Sequence, residues 1–225
     1  MTKATFRDAL SRLKAIVSRY LIRRSAIGMW KQRVKRFGPR SVLNLGHAED
    51  EIEAVTKMQR EKIFPFLQCE LTGQETTILD LGCGYGRFTK DLAELIGGKA
   101  IGVDPIEDLL GMAPENDHVE YRLMQEKHLP VDDDAVDVVW ICLVLGGVIR
   151  QSVLSELVSE IDRVLRPGGL IVLTENTTET DDGDYWKFRS VGFYQALFQY
   201  AELKHASDYD DLGERISIMI GRKIA

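Results

Sequence analysis

Ile78-Leu79-Asp80-Leu81-Gly82-Cys83-Gly84-Tyr85-Gly86 decides how this chain is read. A short, mostly apolar run ends in a turn with glycine at every second position. That is the pattern of a buried strand feeding a tight loop and then a helix. The helix is read over residues 86–95, with Phe88, Leu92 and Leu95 on one side. Glycines let a ligand approach the backbone closely, and the helix turns its N-terminus toward the same place. The spacing is GxGxG, whereas a dinucleotide pyrophosphate site expects GxGxxG.

The same texture continues downstream. Residues 100–104, 119–122, 136–143 and 170–173 read as strands, the third of them almost wholly apolar, as a strand covered on both faces must be. A helix over residues 152–165 is stopped by Pro167-Gly168-Gly169. Strands alternating with helices imply right-handed crossovers and an open parallel sheet. The end differs. Residues 203–209 and 215–220 are strands joined only by Asp210-Asp211-Leu212-Gly213, which predicts an antiparallel hairpin. The expected fold is therefore α/β, a doubly wound, mostly parallel seven-stranded sheet with an antiparallel last strand.

Two acids narrow the ligand. Asp80 stands two residues before the first glycine, where a carboxylate repels a phosphate and attracts an ammonium. Asp104 ends the second strand, about 20 residues on, where an acid accepts both hydroxyls of a ribose. A ligand with a ribose and a cationic amine but no diphosphate is implied, and S-adenosylmethionine fits.

Composition bounds the rest. The 225 residues carry a net charge of -6, unevenly spread. Through Arg40 there are 12 Lys/Arg against 1 Asp/Glu, and the remainder holds 17 basic and 34 acidic residues. A basic N-terminal arm thus joins an acidic body. In the arm, Phe6, Leu10, Leu13, Val17, Tyr20 and Leu21 recur at helical spacing, with Arg7, Lys14 and Arg19 on the other faces. After a Gly38-Pro39 break, residues 49–67 read as mostly helical, with Pro65 restarting or ending a turn. Residues 1–70 are read as a helical extension and 71–225 as the ligand-binding domain. No apolar run reaches the ~18 residues of a membrane span, and no signal-peptide h-region opens the sequence. Cys69, Cys83 and Cys142 lack CxxC spacing, which argues against disulfides or a cysteine zinc site and for a reducing, cytoplasmic setting.

Residues 78–88 resemble the first motif of class I S-adenosylmethionine-dependent methyltransferases of the methyltransferase type 11 kind. Gly102-Val103-Asp104-Pro105 resembles their acidic second-strand motif. Leu129-Pro130 with Val136-Asp137-Val138-Val139 is similar to the approach to the fourth strand, and residues 163–170 to the passage into the fifth. The resemblance implies a Rossmann-like fold and S-adenosyl-L-methionine as cofactor. It places Asp80 near the methionine amino group and Gly82, Cys83, Gly84 and Tyr85 against the cofactor. Asp104 would take the ribose, with Pro105 or Ile106 on the adenine. Relatives often carry an acid before the Leu-Pro to accept the adenine amino group, and here Gln125 or Glu126 stands there. Ile141, Cys142 and Leu143 should line the site. Gly146-Gly147 replace the polar or aromatic residue usual in relatives, leaving a wider opening or room for another element.

The remaining candidates concern the acceptor. His47, His118, His128 and His205 show no metal-ligand spacing, and direct transfer from a sulfonium needs no metal. His47 is the candidate base, provided the segment before the sheet folds over the site. Residues 175–180 leave the fifth strand at its carboxyl end, and Trp186, Phe188 and Arg189 follow. Glu175, Asn176, Trp186 and Arg189 are the acceptor-binding candidates, although Trp186 and Phe188 would equally serve to pack the loop. Cys83 and Cys142 are read as packing residues. The expected activity is methyl transfer to oxygen or nitrogen of a small-molecule or saccharide-type acceptor. An RNA methyltransferase and a non-catalytic partner subunit are the alternatives, with nucleic acid disfavoured by the acidic body. For the arm, a lid over the body, a homodimer contact and a membrane surface are all open, the lid being favoured.

Overall fold

The computed structural model describes residues 26–125, 128–183 and 185–224. The apolar stripe read in residues 6–21, and Glu126, lie outside the described residues. Helix α1 (Ala26–Phe37) passes through a 3₁₀ turn (Gly38–Val42) to α2 (Ile52–Glu70). Gly38 takes φ +54° where α1 stops ahead of Pro39, as the sequence break predicts. Pro65 stands inside α2 and does not end it.

The sheet and its crossovers follow: β1 (Thr77–Leu81), α3 (Thr89–Ile96), β2 (Lys99–Asp104), α4 (Glu107–Leu110), β3 (Val119–Leu123) and β4 (Val136–Cys142). The second half holds α5 (Gln151–Val164), β5 (Leu165–Asn176), α6 (Val191–Leu197), β6 (Lys204–Asp211) and β7 (Glu214–Arg222). The seven strands run in the order β3-β2-β1-β4-β5-β7-β6. Only β7 is antiparallel to its neighbours, β5 and β6.

Strand β4 shows why the sheet is doubly covered. Val139 and Ile141 face the core shared with α5 and α6, while Val138 and Trp140 face α2 and α3. All four are fully buried. On the second face, Phe64 of α2 and Phe88 set their rings edge-on to Trp140, at centroid distances of 5.4 and 5.6 Å. Helix α2 therefore belongs to the helical layer of the sheet, packed through Ile63 and Leu67.

Two local details depart from the sequence reading. Helix α3 begins at Thr89, not at residue 86. Gly82, Gly84 and Gly86 all have positive φ (70°, 59° and 82°), a conformation a right-handed helix cannot contain, so the turn is longer. Strand β5 starts at Leu165, ahead of the Pro-Gly-Gly. Leu165 pairs with Val136, the register then shifts, and Leu170 pairs with Val138. The proline and glycines are absorbed in a bulge, where a missing N–H costs no ladder bond. The β6–β7 turn keeps the predicted place, with Leu212 and Gly213 both at positive φ between the paired Asp211 and Glu214.

Candidate active site

Strand order reverses between β1 and β4, and their carboxyl ends leave a crevice there. A cavity of about 210 Å³ occupies it. One end is formed by Asp80 to Cys83 after β1, by Asp104, Pro105 and Ile106 after β2, and by Leu109 and Met124. The other end is formed by Cys142, Leu143 and Val144, by Gly147 to Arg150, by Val153 and Leu157 of α5, and by Ala26, Ile27 and Trp30 of α1.

The glycine turn is fastened to β2 from within. The N–H groups of Gly82 and Cys83 both donate to the Val103 carbonyl, at 2.7 and 3.2 Å. Asp104 is set by two backbone donors: Gly84 N–H reaches Oδ2 at 2.9 Å and Ile106 N–H reaches Oδ1 at 2.8 Å. Each oxygen keeps a further lone pair, one for each of two neighbouring hydroxyls. Burial pushes the Asp104 carboxyl up to about 6, against the pull of those two N–H groups. Burial likewise pushes Asp80 up to about 7, opposed by the Thr89 hydroxyl donating at 2.6 Å and by the nearby Arg87 charge. Arg87 is itself tethered to α2, donating to Thr56 Oγ1 at 3.1 Å and Gln59 Oε1 at 3.0 Å.

Two buried carboxyls with raised pKa, at the ends of adjacent strands, form a site short of positive charge. A ligand ammonium would supply that charge at Asp80, and Gly82 lines the cavity with backbone alone, since Val144 occupies the place of a side chain there (a Cβ would lie 2.6 Å from it). The residues present therefore fit S-adenosylmethionine.

Of the residues expected at the cofactor, Asp80, Gly82, Cys83, Asp104, Pro105, Ile106, Cys142 and Leu143 line the cavity. Others do not. Gly84 turns its missing side chain toward Val42, and Tyr85 packs beside Val34 and Leu109. Ile141 is fully buried in the core, since its neighbour along the strand faces the opposite side. Gln125 is exposed and bridges to His128, whereas Met124, one residue earlier, reaches the cavity.

The acceptor candidates are mostly holding backbone. Glu175 is wholly buried, and its carboxylate accepts the N–H groups of Val144, Leu145 and Gly146 at 2.8, 2.6 and 3.1 Å. Arg189 donates to the carbonyls of Leu145 and Val148, both at 2.8 Å. Asn176 donates to Glu214 Oε2 at 2.9 Å and accepts from Thr178 N–H. The reason is local: β4 ends in unpaired N–H and C=O groups that need partners once buried. Trp186 packs against Gly146, and Trp30 against Gly147. The glycine pair thus admits two indoles, the second of the two outcomes its sequence allowed. His47, expected as a base, points its Nε2 at Asp211 Oδ1 (2.6 Å) and does not line the cavity. Burial raises both the Cys83 and Cys142 thiols, Cys142 to about 12, so both remain protonated packing groups.

Sequence reasoning missed α1 and the stretch from Val148 to Arg150. Their signal was there: Trp30 and Val148-Ile149 are apolar residues outside any strand read in the sequence. Nothing in their spacing says which surface they cover.

Comparison with known proteins matches this geometry. Residues 79–173 match the family described as a methyltransferase domain. The arsenite methyltransferase of Halobacterium salinarum is 37% identical over 108 residues, 44% of this chain and 27% of its own length. The chain spans about half the length of several other curated methyltransferases that it matches. Among solved structures, the Burkholderia thailandensis 1,6-didemethyltoxoflavin-N1-methyltransferase, which holds S-adenosylhomocysteine, superposes with a TM-score of 0.61 at 16% identity. That alignment covers 77% of this chain and 80% of that one. The [4+2]-cyclase SpnF superposes with a TM-score of 0.64 at 17% identity, over 88% of this chain and 94% of its own. Since a cyclase shares the fold, the fold alone does not name the reaction. Residues 79–173 therefore carry a methyltransferase domain, and its motifs and strand order are those of the class I S-adenosylmethionine-dependent kind.

Proposed function

We propose that the chain transfers the methyl group of S-adenosylmethionine to oxygen or nitrogen of a small, largely apolar acceptor. The observation that carries this is the cavity wall. Away from Asp80, Arg87 and Asp104, it consists of Ile27, Trp30, Leu143, Val144, Val148, Ile149 and similar residues, with Arg150 at its edge. A saccharide needs many hydrogen-bonding side chains, and this wall supplies few. The saccharide half of the expectation is accordingly the weaker.

In this reading Asp80 holds the amino group and Asp104 the ribose hydroxyls. Pro105, Ile106, Leu109 and Met124 enclose the adenine. When bound, the sulfonium supplies an electrophilic methyl group. The chain's own contribution is enclosure and alignment: α1 covers the cavity, Trp30 excludes water, and the β4 end positions the acceptor. The described wall at the acceptor end holds no carboxylate or imidazole. The nucleophile therefore arrives deprotonated or passes its proton to water. Residues 26–42 act as a cover, since Val34 packs on Ile106 and Leu109 of the same chain. We extend that role to residues 1–51 and count α2, which packs on the sheet, with the catalytic domain that runs on through 71–225. No described helix is long and apolar enough to cross a membrane.

The test is a screen of acceptor pools with methyl-labelled cofactor, with mass analysis of the product. Label on a small apolar molecule supports the reading. Label on RNA alone, or cofactor binding with no turnover in any pool, overturns it in favour of the macromolecular or non-catalytic alternative.

A further inference from the structure

We propose that Arg150 reads an anionic group on the acceptor, so that the acceptor class is an apolar body bearing one negative charge. The inference rests on the apolar-acceptor reading above. Four charged side chains line the cavity: Asp80, Arg87, Asp104 and Arg150. Asp80 and Asp104 stand at the cofactor end. Arg87 is held by Thr56 and Gln59. Arg150 stands at the opposite end, where the segment after β4 enters α5.

Arg150 is exposed at the rim of the cavity, where water rather than protein meets its charge. Among the described residues its guanidinium has no hydrogen-bond or ion-pair partner, and the first turn of α5 carries no acid. The contrast with nearby arginines is instructive. Arg33 donates to the Ser41 and Leu43 carbonyls at 2.7 Å each, and Arg189 to Leu145 and Val148. Those two fasten loops, and Arg150 fastens nothing described. A planar fork of donors beside Ile149, Val153 and Trp30 matches a ligand with a carboxylate, phosphate or sulfonate on an apolar frame. In a wall of low polarity, that single contact also fixes which end of the acceptor faces the methyl group.

Two probes with one ring skeleton separate charge from apolar fit: 8-anilinonaphthalene-1-sulfonate and its neutral counterpart N-phenyl-1-naphthylamine. Both are titrated into the full chain, with S-adenosylhomocysteine filling the cofactor end. The wild type should bind the sulfonate more tightly, with a margin that shrinks as salt rises. Arg150→Gln should weaken the sulfonate probe about tenfold, as expected for loss of one charge-assisted contact, and the neutral probe by less than about twofold. Trp30→Ala should weaken both. Unchanged S-adenosylhomocysteine affinity in Arg150→Gln certifies its fold. No margin between the probes in the wild type, or equal losses of both in Arg150→Gln, overturns the anion assignment and leaves the apolar-acceptor reading standing. A wild type that takes neither probe overturns both.

Discussion

Trp186 fills the space that a side chain at Gly146 would need: a Cβ there would lie 2.3 Å from a carbon of the indole. The contact is one stitch of several. Lys187 N–H donates to the Gly146 carbonyl at 2.8 Å, Glu175 collects three N–H groups of the same segment, and Arg189 two of its carbonyls. The loop after β5 is thus a brace for the loop after β4, whose far side forms the cavity wall.

Gly146→Ala should therefore be costly although alanine is small. The ring is rigid and the backbone around it is bonded on both sides, so the strain falls on the brace. A loss of about 1–3 kcal/mol is expected from overpacking. Trp186→Leu in the same background should recover part of it, because the two changes couple through one contact. Denaturant titration of the two single variants and the double variant measures this.

Asp104→Asn should reduce S-adenosylhomocysteine affinity by about tenfold or more while the fold survives. An amide offers one acceptor oxygen, so either Gly84 N–H or Ile106 N–H loses its partner, at about 1–3 kcal/mol. Calorimetry with a parallel thermal melt separates binding from stability. Unchanged affinity would remove Asp104 from the ribose.

The pH dependence has a definite sign. Burial raises Asp80 from 3.8 to about 7, Asp104 from 3.8 to about 6 and Glu175 from 4.5 to about 7. The folded state then binds more protons than the unfolded chain in that interval. These three groups contribute stability that is present at low pH and is lost as pH rises from about 4 to about 7. A cationic ligand at Asp80 binds the ionised form, so S-adenosylhomocysteine affinity should fall as pH drops below about 7. Asp80→Asn should bind weakly and with a flat profile. Calorimetry between about pH 5.5 and 8.5 checks this, and an affinity that rises on acidification would remove Asp80 from the amino group.

His47 and Asp211 should behave as a structural tie. Their 2.6 Å contact joins the segment before α2 to the β6–β7 hairpin, away from the cavity wall. His47→Gln and Asp211→Asn should each lower stability, with a coupling of about 1 kcal/mol in the double-mutant cycle. On any acceptor found, turnover by His47→Gln at a temperature where it is folded should stay within about threefold of wild type, since losing a general base typically costs 10²–10⁴-fold. A fall into that range would restore His47 as the base.

The sequence alone determined the sheet, its parallel and antiparallel parts, and the carboxylates at its switch point. Those features are written in local patterns: unbroken apolar runs, glycines where φ must be positive, and an acid at a strand end. Gly82, Asp80 and Asp104 fall at the cavity for that reason. Only the tertiary structure decided which side of each later residue faces the ligand. Met124 and not Gln125 reaches the cavity because one residue along an extended chain reverses the face. Glu175 and Arg189 look like ligand-binding residues in sequence, yet backbone groups 29 to 44 positions away in the chain claim them. A buried strand end must satisfy its N–H and C=O groups, and which side chains do so depends on contacts that no local pattern records.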